Sequence, residues 1–300
     1  IMCSRCIRFT AEIADDPVLG FTDRGSHTVL TVYPGRELAN NYSLNTVDIC
    51  PVGALTSNDF RFQMRVWFMR ETKTIDTNCA TGCNITVFAR ENKIYRVDPR
   101  QNNDVNSDWL PDSHRLNFHW IESDARLTDP LVKSGSHHRL ASWTEAIATA
   151  ADKFSALDGS EIALIASARM TNEELLMVNR LTKHLKAGHI DTVARTGEAD
   201  GYLISADRNP NTNGVKIILG LEDPGSQIEA IKLGIEQGRI KGLIALQENL
   251  VDDAGFSTEL LGKLDFLLSS YPLANATADA SDVVLPGACW AEKSGTMINA

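Results

Sequence analysis

The sequence predicts an α/β protein built from three successive segments. These are a small cysteine-rich segment over residues 1–70, a short β-rich segment over 71–140, and an α/β domain with a mainly parallel sheet over 141–300. Two observations carry this prediction. Five of the six cysteines lie within the first 83 residues, and short apolar runs alternate with helical patterns from residue 142 onward. The apolar fraction of 43% and the charged fraction of 23% exclude a disordered tail, a collagen-like fibre and a disulfide-dense miniprotein.

The charge distribution argues against two classes of binding partner. The net charge is −10, and residues 141–300 alone carry 13 basic and 22 acidic side chains. Because no basic stripe is present, the sequence argues against nucleic-acid binding and against docking on anionic lipid. No apolar run approaches the ~18 residues of a membrane-spanning helix, so we expect no direct membrane insertion.

The first segment carries the motif with the clearest chemistry. Cys3 and Cys6 are separated by two residues, and Cys50 is followed by the sequence Pro-Val-Gly-Ala-Leu. The chain starts without a signal-peptide pattern, so we expect a reducing compartment and thiols that act as metal ligands rather than disulfides. A Cys-Pro that closes a cluster-binding run is typical of ferredoxins, and Gly53 permits the tight turn around a cluster. A zinc knuckle or buried apolar thiols remain the alternatives.

Three thiolates are one short of a four-ligand site. A Cys-x-x-Cys-x-x-Cys run would place the missing ligand directly before Ile1. The last residues, up to Ala300, likewise show no helix cap or polar tail. We therefore expect the chain to be an internal part of a longer polypeptide.

The second segment is predicted to be mostly extended. Residues 61–75 read as extended chain, and two alternating runs, Ile85–Ala89 and Lys93–Val97, predict a hairpin around the sequence Arg-Glu-Asn. The pair His137-His138 follows Gly-Ser and reads as a solvated loop, and the other histidines have no partner at ligand spacing.

The third segment reads as alternating strands and helices. Capping-box patterns at Ser142 and Thr171 predict two helices, the second of which ends near Gly188. Two further helices are expected near 225–237 and 257–263. Short apolar runs predict five strands: Glu161–Ala166, Val215–Leu219, Leu243–Leu246, Phe266–Leu268 and Val283–Leu285. Such alternation implies a mainly parallel sheet covered on both faces. The sequence contains neither Gly-x-Gly-x-x-Gly after a strand nor a phosphate-binding Gly-Lys-Ser/Thr loop.

The cysteine motif resembles one [4Fe-4S] site of the large iron–sulfur subunit of NADH–quinone oxidoreductase, a front end that iron-only hydrogenases and some formate dehydrogenases share. The resemblance implies that Cys3, Cys6 and Cys50 are cluster ligands. It also implies that a [2Fe-2S] cluster and a further [4Fe-4S] cluster precede Ile1. Two later stretches extend the resemblance through a molybdopterin-oxidoreductase-like domain: Asp207–Gly214, with its Asn-Pro-Asn, and Ala278–Asn299, with its Glu-x-x-Gly-Thr-x-x-Asn.

The β-rich segment departs from the family pattern of Cys-x-x-Cys-x-x-x-Cys with a fourth cysteine farther on. Cys79 and Cys83 match the second and third positions, Asp76 stands at the first, and Pro111 stands at the fourth. Asp112 and His114 are the candidate substitutes, but neither has the family's spacing. We expect this segment to hold no cluster, with Pro111 in the space of the fourth ligand.

The resemblance implies a specific function. The chain would relay electrons from NADH and flavin toward quinone, together with other subunits of respiratory complex I, including the flavin-bearing one, on the cytoplasmic face of a bacterial plasma membrane. The alternatives are a catalytic subunit of a molybdopterin enzyme such as formate dehydrogenase, and a non-redox scaffold with structural clusters. No cysteine stands near the start of the α/β domain, and Asp129, Ser136 and Ser142 lack a supporting motif, so we expect no molybdopterin. Cys289 reads as a buried small apolar residue.

Overall fold

The computed structural model describes residues 3–298, so Asn299 of the last motif lies outside the described residues. The chain forms two compact units. The first contains the chain up to Asp76 together with Gly82–Trp120 and Asp200–Ile204. The second contains Thr77–Thr81, Ile121–Ala199 and the chain from Ser205 onward.

The first unit combines short helices with two small antiparallel sheets. Its elements are α1 (Arg5–Glu12), β1 (Leu19–Thr22), β2 (Val29–Val32), α2 (Asn45–Asp48), β3 (Arg70–Ile75), β4 (Asn84–Arg90), β5 (Lys93–Pro99) and α3 (Asp112–Arg115). Strands β1 and β2 form a hairpin, and β3, β4 and β5 form a three-stranded sheet in that order.

The predicted hairpin is confirmed as β4 and β5. Glu91 and Asn92 both adopt left-handed conformations, with φ of 53° and 62°, as a two-residue turn that matches the strand twist requires. Residues 61–75 are only partly extended, because a 3₁₀ turn at Val66–Phe68 precedes β3.

The second unit contains one large sheet with helices on both faces. Its elements are β6 (Leu131–Ser134), β7 (His137–Leu140), α4 (Trp143–Ser155), β8 (Ile162–Ala166), α5 (Asn172–Leu185), β9 (His189–Thr192), α6 (Thr212–Leu219), α7 (Ile228–Glu236), β10 (Gly242–Leu246), α8 (Leu250–Ala254), α9 (Thr258–Leu261), β11 (Phe266–Tyr271), α10 (Ala276–Ala280) and β12 (Val283–Pro286).

The sheet order is β7-β6-β12-β11-β10-β8-β9. The five strands from β12 to β9 pair in parallel, and β6 and β7 add an antiparallel edge. The mainly parallel α/β domain predicted from the sequence is therefore confirmed.

Alternate residues of the buried strands face opposite helical layers, as the two-residue period of a strand requires. Leu164 and Ile244 belong to one core, with residues of α4, α5 and α6. Ile165 and Leu243 belong to the other, with residues of α7, α8 and α9. Because both faces are covered, these strands are apolar along their whole length.

The helix at Asn172 begins as predicted. The Thr171 side chain accepts from the backbone N–H of Glu174, and the Glu174 side chain accepts from that of Thr171, which completes the capping box. At Ser142 only the first half of the box forms, because the Glu145 carboxylate pairs with Arg139 instead.

The prediction of a strand at Val215–Leu219 is wrong, since these residues form most of α6. A short apolar run does not by itself distinguish a strand from a helix segment. Here Val215 is buried while Ile217 is 69% exposed, and Gly220 ends the helix in a left-handed conformation at φ 72°. The helix packs on α5, where the Asn179 side chain donates to the Ile218 carbonyl at 2.6 Å.

The prediction of a solvated loop at His137-His138 is also wrong. Both residues belong to β7, and His138 Nε2 hydrogen-bonds the Ser281 carbonyl at 2.7 Å. Within residues 3–298, the structure has no helix that is both long and apolar enough to cross a membrane.

Candidate iron–sulfur site

The first two cysteines are positioned by α1. Cys3 precedes the helix, and Cys6 lies in its first turn beside the buried face that also carries Phe9. Cys6 is 8% exposed and packs with Val18 and Leu19. The two-residue spacing thus places one thiol at the start of the helix and the other in the core beneath it.

The third cysteine, Cys50, follows α2 and begins a loop whose backbone surrounds the Cys50 sulfur. The backbone N–H of Leu55, and to a lesser extent those of Val52, Ala54 and Gly53, hold the pKa of Cys50 below its ordinary value, although burial opposes them. Gly53 has a φ of 62°, and a Cβ there would meet nothing within 4 Å, so the turn requires glycine for its backbone conformation rather than for space. Such a ring of N–H groups stabilises negative charge on sulfur.

Cys6 lies near enough to the thiols of both Cys50 and Cys3 to be affected by their charge. Burial raises the pKa of Cys6, and the neighbouring thiols of Cys50 and Cys3 raise it further, against the backbone N–H of Ile7. A bound metal would supply positive charge that favours the ionised form of such a thiol.

Thiolates are soft donors that suit iron–sulfur clusters and zinc. Among residues 3–298, no three His, Cys, Asp or Glu side chains gather closely enough to hold one metal ion. A [4Fe-4S] cube distributes its thiolates over separate iron atoms, and its sulfurs accept hydrogen bonds from backbone N–H groups. Three thiols around a loop lined with N–H groups match those requirements.

A buried polar side chain fixes the helix that precedes Cys50. Asn45 of α2 donates to the carbonyl of Leu110 at 2.9 Å and accepts from the N–H of Leu110 at 3.0 Å. It also donates to the Tyr42 carbonyl at 2.9 Å. Asp112 accepts from Ser43 Oγ at 2.7 Å and from the N–H of Leu44 at 3.1 Å. Residues 110–112 thus hold the N-terminal side of the Cys50 loop.

The β-rich segment contains a pair that the sequence did not predict. His114 Nδ1 lies 2.6 Å from Asp76 Oδ2, and both side chains are almost fully buried. The backbone N–H of Asp76 donates to the Cys83 carbonyl at 2.7 Å, and Cys83 is fully buried. Pro111 is buried at the start of α3, and one turn later this helix brings His114 to Asp76. Because the two residues are 38 positions apart, no local sequence motif contains both of them.

In the second unit, Cys79 and Cys289 are buried, at 0% and 2% exposure. Burial raises the pKa of Cys289, as expected for an inert thiol. Asp129 accepts from Thr128 Oγ1 at 2.8 Å, Ser142 caps α4, and Ser136 is exposed.

The two motifs of the α/β domain, the one with Asn-Pro-Asn and the one with Glu-x-x-Gly-Thr, form hydrogen bonds within the second unit. Asn211 donates to the Met170 carbonyl at 2.8 Å and accepts from the N–H of Ile298 at 2.8 Å. Thr296 donates to Glu173 at the start of α5, and Glu292 pairs with Arg126 at 2.7 Å. These polar residues connect loops that are distant in sequence.

Comparison with protein families gives three matches in chain order. Residues 1–56 match the ferredoxin-like domain of NADH-quinone oxidoreductase subunit 3. Residues 69–119 match the 4Fe-4S domain of the NADH-ubiquinone oxidoreductase NDSU1/NuoG-like type. Residues 218–300 match molybdopterin oxidoreductase.

Individual relatives agree with these matches. The chain is 35% identical over 226 residues to the mitochondrial 78 kDa subunit of NADH-ubiquinone oxidoreductase from Candida albicans, covering 74% of this chain and 31% of the relative. It is 37% identical over 197 residues to NADH-quinone oxidoreductase subunit 3 from Thermus thermophilus, covering 65% and 25%. It is 33% identical over 191 residues to the mitochondrial NADH dehydrogenase [ubiquinone] iron-sulfur protein 1 from Solanum tuberosum, covering 63% and 26%. The chain thus spans between a quarter and a third of the length of these curated relatives.

Proposed function

We propose that this chain relays single electrons from NADH and flavin toward quinone. The premise is that it belongs to the family of the large iron–sulfur subunit of NADH–quinone oxidoreductase. The observations that carry the proposal are the Cys50 loop, whose N–H groups lower the pKa of that thiol, and the nearness of Cys6 to the thiols of both Cys50 and Cys3. The relatives do not favour the alternative of a molybdopterin-dependent catalytic subunit such as formate dehydrogenase.

We assign Cys3, Cys6 and Cys50 as ligands of one [4Fe-4S] cluster, with the fourth ligand from chain that precedes Ile1. The cluster would supply one-electron redox chemistry. The chain's own residues hold it through three sulfurs, donate hydrogen bonds around Cys50, and exclude water around Cys6. Hydrogen bonds to sulfur and burial are the means by which a protein sets cluster potential.

The finer assignments are also proposals. The segment boundaries 1–70, 71–140 and 141–300 separate the cluster-binding segment, the degenerate cluster segment and the molybdopterin-oxidoreductase-like domain. We propose that the second segment holds no cluster, that the third holds no molybdopterin, and that the longer polypeptide carries a [2Fe-2S] and a further [4Fe-4S] cluster. Its partners would be the flavin-bearing and other subunits of complex I on the cytoplasmic face of a bacterial membrane.

The test uses the full-length polypeptide assembled with its partners. Cys50→Ala removes one sulfur ligand, so one [4Fe-4S] electron paramagnetic resonance (EPR) signal should disappear and NADH-to-quinone electron transfer should fall with it. Cys289→Ala, which removes a buried thiol of the second unit, is the control and should leave both unchanged. An unaltered cluster spectrum in Cys50→Ala would refute the assignment.

Metal analysis of the same preparation separates the alternatives. We expect iron without molybdenum, tungsten or extractable pterin from cells that were supplied with molybdate and tungstate. Near-stoichiometric recovery of either metal with pterin would instead support a formate-dehydrogenase-like activity, and iron that stays redox-silent would support a structural scaffold.

A further inference from the structure

Within the first unit, residues 60–70 place several large apolar side chains in solvent. The segment reads Phe-Arg-Phe-Gln-Met-Arg-Val-Trp-Phe-Met-Arg, and we call it the aromatic segment. Phe62 is 91% exposed, Trp67 is 70% exposed and Phe68 is 53% exposed. Isolated apolar side chains on a surface are ordinary, but a group of neighbouring ones marks an interaction site.

The exposed rings form one surface with arginine side chains. The ring centroids of Trp67 and Phe68 lie 6.0 Å apart. The Cζ atom of Arg65 lies 5.3 Å from the ring centroid of Trp67. The Cζ atom of Arg90, on β4, lies 5.3 Å from the ring centroid of Phe68. Because guanidinium groups are attracted to aromatic faces, these contacts order the rings in the unbound chain.

The most exposed ring is held on an unfavourable backbone. Phe62 has a φ of 66°, in the left-handed region that a bulky side chain rarely adopts. The ring lies 4.6 Å from the Cζ atom of Arg61 and is otherwise in solvent, so burial does not offset this strain. Strained residues of this kind are concentrated at functional sites. A partner that covers the Phe62 ring would supply the missing burial.

A cavity of about 410 Å³ adjoins the aromatic segment. Its apolar walls include Phe60, Phe62 and Met64 of the segment and Leu116 and Phe118, which follow α3. In protein–protein interfaces, most of the binding energy comes from a few large side chains that fill well-packed pockets, with near-neutral contacts around them. The cavity can accept one such side chain, and the exposed rings can cover its surroundings.

The charges around the cavity leave a surplus of arginine. Each carboxylate that lines the cavity has a partner: Asp48 pairs with Arg115, Asp59 with His119 and Asp98 with Arg96. Within residues 3–298, Arg61, Arg65 and Arg70 form no ion pair. The aromatic segment contains no Asp, Glu or Lys, although the net charge of the chain is −10. A complementary partner would therefore bring carboxylates to these three arginines.

The composition of the segment favours a protein partner over a lipid surface. The cores of protein interfaces are enriched in Trp, Phe, Met and Arg and depleted in Lys, Glu and Asp, as this segment is. Anionic membranes are bound by clusters of about 4–8 Lys or Arg, whereas the segment has three arginines and adjoins three carboxylates.

We propose that the aromatic segment and its cavity form a docking surface for another protein subunit of the same complex. The matching surface would present a large apolar side chain flanked by Asp or Glu. That side chain would enter the cavity, the exposed rings would pack around it, and the carboxylates would pair with Arg61, Arg65 and Arg70. The identification of the partner as a subunit of the complex rests on the proposed function.

The first test is site-specific photocrosslinking in the full-length polypeptide assembled with its partners. Phe62→p-benzoylphenylalanine places the reactive group at the most exposed ring, and mass spectrometry identifies the peptide that it captures. We expect a peptide of another subunit that contains an apolar residue next to Asp or Glu. Capture of this polypeptide itself, of lipid or of a peptide without carboxylates overturns the proposal, as does the absence of any crosslink.

The second test measures the Kd of the full-length polypeptide for the complex assembled without it. Trp67→Ala should raise the Kd roughly tenfold or more, as loss of a central aromatic does. Arg65→Glu should also raise the Kd and should make it less sensitive to salt. The controls are Trp143→Ala, at a tryptophan of the second unit that is 48% exposed, and Arg24→Glu, at an exposed arginine of the first unit; both should bind like the parent. Equal Kd values in variants and controls overturn the proposal.

A variant at Phe62 separates docking from folding. Asn adopts the left-handed conformation far more readily than Phe, so Phe62→Asn should unfold at the same or a higher urea concentration and yet bind less tightly. A lower unfolding midpoint would show that Phe62 stabilises the isolated fold, and would overturn its role in docking. The cluster signals of the unassembled polypeptide test the proposed function, whereas binding to the other subunits tests this inference, so the two can fail separately.

Discussion

Replacement of Asn45 by alanine should loosen the segment that holds the Cys50 loop. Asn45 is fully buried, and its amide satisfies both the N–H and the carbonyl of Leu110, which is also fully buried. A buried backbone group left without a partner costs about 1–3 kcal/mol, so the two Leu110 groups together cost about 2–6 kcal/mol. Water that enters the vacated space recovers part of this, and we expect a loss of about 3 kcal/mol in the free energy of unfolding.

The assay is urea unfolding followed by tryptophan fluorescence, to which Trp109, adjacent to Leu110, contributes. With a urea dependence of about 1–3 kcal/mol per molar, the midpoint should fall by roughly 1–3 M. Asn41→Ala is a matched control, because Asn41 donates to Ser113 Oγ at 3.0 Å and accepts from the Ser113 N–H at 2.8 Å, both exposed. It should cost less than about 1 kcal/mol. If the two variants unfold at the same urea concentration, burial of the Asn45 amide does not hold this loop.

Two further predictions concern thiol reactivity and a buried ion pair. In the metal-free chain, alkylation followed by mass spectrometry should show that Cys50 reacts at lower pH than Cys6. The reason is that the loop lowers the pKa of Cys50, while burial raises the pKa of Cys6. The reverse order would contradict the described loop. Arg195→Met should lower the free energy of unfolding by about 3–5 kcal/mol, because it removes the guanidinium that hydrogen-bonds the fully buried Glu248 carboxylate. Arg139→Met, at an exposed pair, should change it by less than about 1 kcal/mol, and equal effects would contradict the argument.

Local patterns in the sequence predict those parts of the fold that local forces determine. The turn at Glu91-Asn92 and the capping box of Thr171 are specified by a few adjacent residues, and both form as predicted. The parallel sheet was predictable because both of its faces are covered, so its strands read as continuous apolar runs. The run Val215–Leu219 has the same composition, but its packing on α5 makes it a helix.

Features that could not be predicted from the sequence depend on contacts between residues that are far apart in the chain. His138 joins a strand because a hairpin extends the large sheet, a pairing that no local pattern specifies. The Asp76–His114 pair joins residues 38 apart, and the Asn45–Leu110 bonds join residues 65 apart. The cysteine motif predicts Cys3, Cys6 and Cys50 as ligands, and this stays a prediction. The four N–H groups around Cys50 depend on the backbone path of the loop, which no local pattern specifies.

The most direct test of the central claim is whether Cys3, Cys6 and Cys50 bind the same cluster. Each should be replaced singly by alanine in the full-length polypeptide, and the reduced proteins compared by EPR with the parent. We predict that all three variants lose one and the same [4Fe-4S] signal, while the double variant Cys79→Ala/Cys83→Ala keeps every signal and its full iron content. Loss of different signals in the three variants, or loss of about four iron atoms from the double variant, would contradict the account.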